Sequence, residues 1–135
     1  MYKHILVPIA GDHNPHTGEA LEIARALRDK GGKITALTVL EAIPPYVAQH
    51  IPAGIDEKNR EAALASLNAE LGGVKDAKAE VVHGHSARTI LEYAAEMDVD
   101  CIIIASHRPG MQDYFLGSTA AKVVRHAPCA VHVVR

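Results

Sequence analysis

The chain has 135 residues, of which 48% are hydrophobic and 22% are charged. This length corresponds to one domain, and a domain of this size can fold without disulfides or a structural metal. The 14 Lys and Arg residues nearly balance the 16 Asp and Glu residues. This balance argues against the broad basic surface of a nucleic-acid-binding protein and against attraction to an anionic membrane. We expect a single domain over residues 1–135, with neither nucleic acid nor membrane as a partner.

The cysteines and the N-terminal segment indicate the cellular compartment. Cys101 and Cys129 lie in or beside apolar runs and lack the spacing of a Cys-x-x-Cys motif or a secreted disulfide framework. Small buried side chains fit this pattern better than redox or metal chemistry. The N-terminus enters an apolar segment at Ile5 without the pattern of a signal peptide, and the apolar runs are shorter than a membrane span. We expect a soluble, reduced, cytoplasmic protein.

Five apolar segments have the composition of β-strands: residues 4–9, 33–40, 78–83, 99–105 and 129–134. Several are continuously apolar, which is typical of parallel strands that are covered on both faces.

Four segments between these strands have the periodicity of helices. The first covers residues 15–30 and ends at Gly31 and Gly32. The second and third are predicted to be capped by Asp56 and Ser86, and the fourth covers residues 118–127. The positions that we expect to face inward are Ala20, Ile23, Ala24, Leu27, Leu64, Leu67, Leu71, Ile90, Tyr93, Ala94 and Met97.

The alternation of strands and helices predicts an α/β fold: a three-layer, doubly wound, Rossmann-like domain with a five-stranded parallel sheet and about four helices. Segment 41–55 is longer than most connections, and segments of this length often cover a site or are mobile.

Ligands of such folds bind beyond the carboxyl ends of the strands, where the strand order reverses. The relevant segments are residues 8–12, the turn after Val39, and residues 106–118. The last of these leads into Gly117, Ser118 and Thr119 at a helix start, where N–H groups and hydroxyls can hold a phosphate and Arg108 can add positive charge. A plain loop end with a helix cap fits the same residues. The chain has no Walker A or Gly-x-Gly-x-x-Gly motif.

Four features carry a resemblance to a known family: the opening Ile5-Leu-Val-Pro, the Leu37-Thr-Val-Leu strand, Gly84 before the third helix, and Gly117-Ser118 with the closing segment 123–135. Over its whole length the chain resembles the universal stress proteins. The resemblance implies strand order 3-2-1-4-5, a homodimer through strand 129–134, and, in one branch of the family, ATP binding through Gly-x2-Gly-x9-Gly-[Ser/Thr].

This sequence departs from that nucleotide motif at three places and from ATP-binding relatives at one further position. Ala105 and Arg108 replace the first two glycines, and the spacer before Gly117 is one residue shorter. Ala10 stands where ATP-binding relatives carry an Asp. Gly110 can restore flexibility, and Asp12 can supply the missing carboxylate or position Mg²⁺. A turn cap is the simpler role for Asp12.

The resemblance also implies a role for each binding residue. Around the nucleoside, Pro8, Ile9 and Ala10 would flank the adenosine, and the backbone of Val39 would read the adenine edge. Along the ribose and phosphates, the implied residues are Ala105, Ser106, His107, Arg108, Gly117, Ser118 and Thr119.

The nine histidines raise the question of metal binding. The pairs His83/His85 and His13/His16 lack a carboxylate or cysteine at ligand spacing, so surface histidines are favoured and we predict no metal site. His107, within the nucleotide loop, can contact a phosphate or link binding to pH. No catalytic triad or carboxylate pair is evident, so we do not expect an enzyme, although slow ATP hydrolysis stays open.

Strand 129–134 is expected at the sheet edge, where it can pair with itself in a second copy. A monomer whose edge is protected by His132 and Arg135 is the alternative. We expect a dimeric stress-response regulator that binds ATP or a related adenine nucleotide, with occupancy as a switch. The alternative is a dimeric interaction module that binds no nucleotide and contacts a partner through segment 41–55.

Overall fold

The computed structural model describes residues 1–10, 17–41, 43–72, 76–106 and 116–135. Its helices and strands, in chain order, are β1 (Tyr2–Pro8), α1 (Thr17–Leu27), β2 (Arg28–Leu40), α2 (Pro45–Ala48), α3 (Ile55–Leu71), β3 (Ala77–His83), α4 (Ser86–Glu96), β4 (Cys101–Ala105), α5 (Ser118–His126) and β5 (Ala130–Val134).

The five strands form one parallel sheet in the order β3-β2-β1-β4-β5. In the centre of the sheet, Ile5 of β1 lies opposite Ile34 of β2 on one side and Cys101 of β4 on the other. The chain runs outward from β1 to β2 and β3, and then returns to β4 on the other side of β1. The predicted fold and strand order are therefore confirmed, and the order reverses between β1 and β4.

Alternating side chains of the sheet supply two cores. Ile5 and Val7 of β1 belong to the core beneath α1 and α3, whereas Leu6 packs on the opposite face with α4 and α5. Because helices cover both faces of this central strand, residues 4–7 are all buried, which explains the continuous apolar run in the sequence. Within the described residues, no helix has the length and apolar character to cross a lipid bilayer.

The two cysteine side chains belong to opposite cores: Cys101 to the α1/α3 side and Cys129 to the α4/α5 side. Both thiols are free. Burial raises the pKa of Cys101 to about 11, with smaller contributions from Cys129 and Asp100. Cys101 is thus a small core side chain that stays protonated, as its sequence context predicts.

The first helix ends earlier than predicted, at Leu27 rather than at residue 30. Residues 28–30 belong to β2 instead, where Arg28 lies opposite Tyr2 and forms an ion pair with Asp76 at 2.6 Å. Pairing with a neighbouring strand therefore overrides the local helical pattern of this segment.

Two predicted helix caps and one predicted core residue are wrong. The capping positions are Gly54 for α3 and His85 for α4, so Asp56 and Ser86 lie inside their helices. Met97 follows the end of α4 and is 47% exposed. The short α2, which lies in segment 41–55, gives five helices among the described residues where about four were expected. The other predicted inward positions are buried or pack against the two cores.

Candidate functional site

The carboxyl end of β1 is held against β2 by two hydrogen bonds. Ile9, the first residue after β1, donates its N–H to the carbonyl of Leu37 at 2.8 Å. The Ile9 carbonyl accepts a hydrogen bond from the hydroxyl of Thr38 at 3.0 Å. Ile9 is buried, whereas Pro8 is partly exposed and Ala10 is exposed. The chain therefore leaves the sheet at Ala10, at the edge where the sequence predicts a ligand.

The peptide groups at the end of β2 point alternately to its two neighbours. The Leu37 carbonyl accepts the Ile9 N–H from the β1 side, and the Leu40 carbonyl accepts the Gly84 N–H from the β3 side at 2.9 Å. Because residues two apart in a strand present their peptide groups to the same neighbour, Val39 directs its N–H and C=O toward β1. β1 ends at Pro8, opposite Leu37. The peptide groups of Val39 thus lie beyond the last residue of β1; Gly11, whose N–H would meet the Val39 carbonyl in a continued ladder, lies outside the described residues.

The carboxyl end of β4 is bound to the last strand through Ser106. The Ser106 N–H and hydroxyl both donate to the carbonyl of Val134, at 2.9 and 3.3 Å. Ser106 is 5% exposed. Its hydroxyl and its N–H are thus both directed to β5. The preceding residue, Ala105, is partly exposed.

Helix α5 begins at the same edge of the sheet. Gly117 occupies its capping position; its N–H donates to the Ser106 carbonyl at 3.3 Å and its carbonyl accepts the Ala121 N–H at 2.8 Å. Gly117 has no side chain that could cap the helix, and the first N–H groups of a helix have no partner within it. These N–H groups, with the hydroxyls of the exposed Ser118 and the partly exposed Thr119, can hold an anion.

The structure therefore brings three predicted groups of residues to one edge of the sheet. They are the end of β1 (Pro8, Ile9, Ala10), the peptide of Val39, and the β4–α5 junction (Ala105, Ser106, Gly117, Ser118, Thr119). Asp12, His107, Arg108 and Gly110 lie outside the described residues.

Thr38 also lies at this edge of the sheet and is not among the residues predicted from the sequence. Its signal in the sequence is a hydroxyl within the apolar run from Ala36 to Leu40. Thr38 is 3% exposed, and a buried hydroxyl needs a hydrogen-bond partner, here the Ile9 carbonyl.

The histidine pairs do not form a metal cluster in the part of the chain that the structure describes. His83 and His85 are both exposed and belong to no group of three or more His, Cys, Asp or Glu side chains among these residues. His13 and His16 lie outside them.

Known proteins are similar to this chain over its entire length. A family model described as the universal stress protein family matches residues 1–135. A universal stress protein of Methanothermobacter thermautotrophicus is 28% identical over 145 residues, an alignment that spans 100% of this chain and 97% of the relative.

Solved structures of similar proteins share the fold. Hypothetical protein MJ0577 superposes with a TM-score of 0.82 at 25% identity, over 99% of this chain and 96% of that one. A universal stress protein in complex with cAMP has a TM-score of 0.70 at 20% identity, over 99% and 97% of the two chains. A universal stress protein from Archaeoglobus fulgidus in complex with dAMP has a TM-score of 0.62 at 17% identity, over 99% and 98%. With its full-length family match and this shared fold, the chain belongs to the universal stress protein family.

Proposed function

We propose that this protein binds ATP or a related adenine nucleotide in the crevice between the end of β1, the peptide of Val39 and the first turn of α5. The observation that carries the proposal is the direction of the Val39 peptide groups, which extend past the end of β1. One N–H donor beside one C=O acceptor complements the ring nitrogen and the exocyclic amino group of adenine. The base would thus be read by backbone atoms of the central sheet.

The phosphates would bind at the beginning of α5. Backbone N–H groups at a helix start attract anions, and the glycine at position 117 lets the ligand approach the backbone closely. This local attraction matters because the whole chain has a net charge of -2. Asp12 and Arg108, both outside the described residues, are the proposed contacts to Mg²⁺ and to the phosphates, respectively.

Similar proteins support an adenine nucleotide over other anions. The universal stress proteins solved with cAMP and with dAMP share the fold of this chain, and both ligands contain adenine. A binding role fits the described part of the site, where peptide groups and the hydroxyls of Ser118 and Thr119 can recognise a ligand.

The same geometry suggests how nucleotide occupancy could act as a switch in a dimer. Ser106 follows β4 at the proposed site, and its N–H and hydroxyl bind the carbonyl of Val134 at the end of β5. β5 is the edge strand through which we propose that two copies pair. A movement of the β4–α5 junction on nucleotide binding would therefore be transmitted to β5 through the contact between Ser106 and Val134.

A second candidate function rests on segment 41–55. Every residue of α2 is exposed, and Tyr46 presents 72% of its surface to solvent. Tyr46 is followed by the exposed Val47, and aromatic side chains are enriched at protein–protein interfaces. The alternative is thus a dimeric interaction module that uses α2 and binds no nucleotide.

Calorimetric titration of nucleotide-free protein separates the two candidates. The chain has no Trp and four Tyr, so the ultraviolet spectrum reveals whether bound nucleotide has been removed. We expect ATP with Mg²⁺ to bind and GTP to bind at least about tenfold more weakly, since guanine presents a different donor and acceptor pattern. The variant Val39→Pro removes the proposed base-reading N–H and should lose most of this affinity, whereas Val39→Ile keeps the N–H and should bind normally. Absence of heat with every adenine nucleotide would favour the interaction module.

A further inference from the structure

Thr38 is a buried polar residue between two apolar neighbours in β2. It is 3% exposed, and the adjacent Leu37 is fully buried. A valine would occupy nearly the same volume without introducing a hydroxyl into the core. The Thr38 hydroxyl has one described partner, the Ile9 carbonyl at 3.0 Å. The hydroxyl therefore acts on the backbone at the end of β1.

The hydrogen-bond ladder between β1 and β2 ends one bond earlier than the register of the two strands would allow. The Ile9 N–H donates to the Leu37 carbonyl at 2.8 Å, so the register of the two strands continues past Pro8. The next bond of a parallel ladder would join the Val39 N–H to the Ile9 carbonyl. That bond is not formed between these two described residues, and the carbonyl accepts the Thr38 hydroxyl instead.

We infer that Thr38 is a positioning residue that keeps the Val39 peptide available to a nucleotide base. Since a carbonyl can accept two hydrogen bonds, the hydroxyl would act through direction, by drawing the Ile9 carbonyl toward Thr38 and away from the Val39 N–H. Without the hydroxyl, the carbonyl and the N–H would satisfy each other, because backbone polar groups rarely stay unpaired when a partner is near. The ladder would then gain one hydrogen bond. This bond would engage the Val39 N–H, which is the donor that the base needs. This inference rests on the proposed function, because the proposed ligand is the same base.

The inference is tested first without nucleotide. Thr38→Val removes the hydroxyl and keeps the volume, whereas Thr38→Ser keeps the hydroxyl and serves as the matched control. Scalar coupling across a hydrogen bond, measured by NMR between the Val39 nitrogen and the Ile9 carbonyl carbon, should appear in T38V and be absent in the native protein and in T38S. Hydrogen exchange at the Val39 amide should slow by about fivefold or more in T38V, as expected for one added hydrogen bond.

The affinity for ATP is measured in the same three proteins. We expect binding to weaken by about tenfold in T38V and to stay close to the native value in T38S. If T38V fails to fold, Thr38→Ala takes its place, since it also lacks the hydroxyl and tests the same bond.

The outcomes separate this inference from the proposed function. If the hydroxyl-deficient variant shows no Ile9–Val39 hydrogen bond, or if it binds ATP as tightly as the native protein does, the positioning role is wrong. If the new bond appears but the native protein binds no adenine nucleotide, Thr38 does control the ladder and the proposed function has failed instead.

Discussion

The Gly117 N–H donates to the Ser106 carbonyl at 3.3 Å, and a Cβ atom added to Gly117 would lie 3.3 Å from the same oxygen. This contact joins the start of α5 to the end of β4, and it leaves little room for a side chain.

Replacing Gly117 with valine should therefore displace the first turn of α5 from its position beside the sheet. We expect the ATP affinity to fall by about tenfold or more, measured by calorimetry, with the fold retained. Gly18→Val is the matched control, because a Cβ at Gly18 meets no atom within 4 Å. Unchanged affinity in G117V would place the phosphates elsewhere.

A second prediction concerns Tyr93, whose hydroxyl donates to the Glu80 carboxylate. Burial, reinforced by Glu80, raises the pKa of Tyr93 from 10.0 to about 12. A tyrosine whose pKa is higher in the folded state stabilises the fold fully below its unfolded pKa and loses this contribution as the pH rises toward the folded value. The stability advantage of the native protein over Tyr93→Phe should therefore be about 1 kcal/mol at neutral pH and shrink above about pH 10.

Chemical denaturation at several pH values measures this advantage. Tyr46→Phe is the control, since Tyr46 is exposed and its loss should change stability little at any pH. In Y93F the pKa of Glu80 should also rise, because the Tyr93 hydrogen bond is the largest influence that lowers it. A Y93F stability difference that does not vary with pH would contradict the assigned contact.

The third prediction concerns Asp100, whose carboxylate accepts the backbone N–H groups of Lys3 and His4 at 2.9 and 3.0 Å. Burial opposes the charged form, but these N–H groups, together with the N–H of Asp100 itself and the electrostatic effect of His4, lower the pKa of Asp100. Asp100→Asn should reduce the free energy of unfolding by about 1–2 kcal/mol at neutral pH. The loss should shrink as the pH falls through the lowered pKa, because the native carboxylate is then protonated as well.

Thermal unfolding of D100N at neutral and acidic pH tests this expectation. Asp98→Asn is the matched control: Asp98 is exposed and has a φ of 52°, a conformation that Asn also tolerates. Equal stability losses in the two variants would show that the bonds from Lys3 and His4 contribute nothing specific.

The fourth prediction concerns the dimer that we propose through β5. The Val134 carbonyl accepts the Ser106 N–H from β4, so Val131 and Val133, which alternate with it, present their peptide groups to the outer edge. Val133→Pro should abolish edge pairing without removing a β4–β5 hydrogen bond. Sedimentation velocity should show a native dimer, a V133P monomer and a Val133→Ile dimer. A monomeric native protein, or a dimeric V133P, would rule out this interface.

The fold could be predicted from the sequence because each central strand carries its own signal. The continuous apolar run of β4, Ile102 to Ile104, indicates burial on both faces. The end of α1 could not be predicted, because Arg28 enters β2 through contacts with Tyr2 and Asp76, which lie far away in the sequence.

The parts of the candidate site that depend on the type of side chain could be predicted from the sequence. The parts that depend on the direction of backbone groups could not. Gly117 and the hydroxyls that follow it are visible in the sequence. The family resemblance implied that the backbone of Val39 reads adenine. The physical reason why its peptide groups could do so depends on where β1 ends in the sheet. The hydroxyl of Ser106 binds the carbonyl of Val134, 28 residues away, a partner that no local pattern indicates.

The central claim is that an adenine nucleotide binds between the Val39 peptide and the first turn of α5. The most direct test is an NMR titration of ¹⁵N-labelled, nucleotide-free protein with ATP and Mg²⁺. We predict that the largest changes in amide chemical shift occur at Val39, Ser118 and Thr119. Amides near the amino ends of the strands, for example that of Lys33, should change little. Shifts that leave these three amides unmoved, or a spectrum that ATP does not change, would contradict the claim.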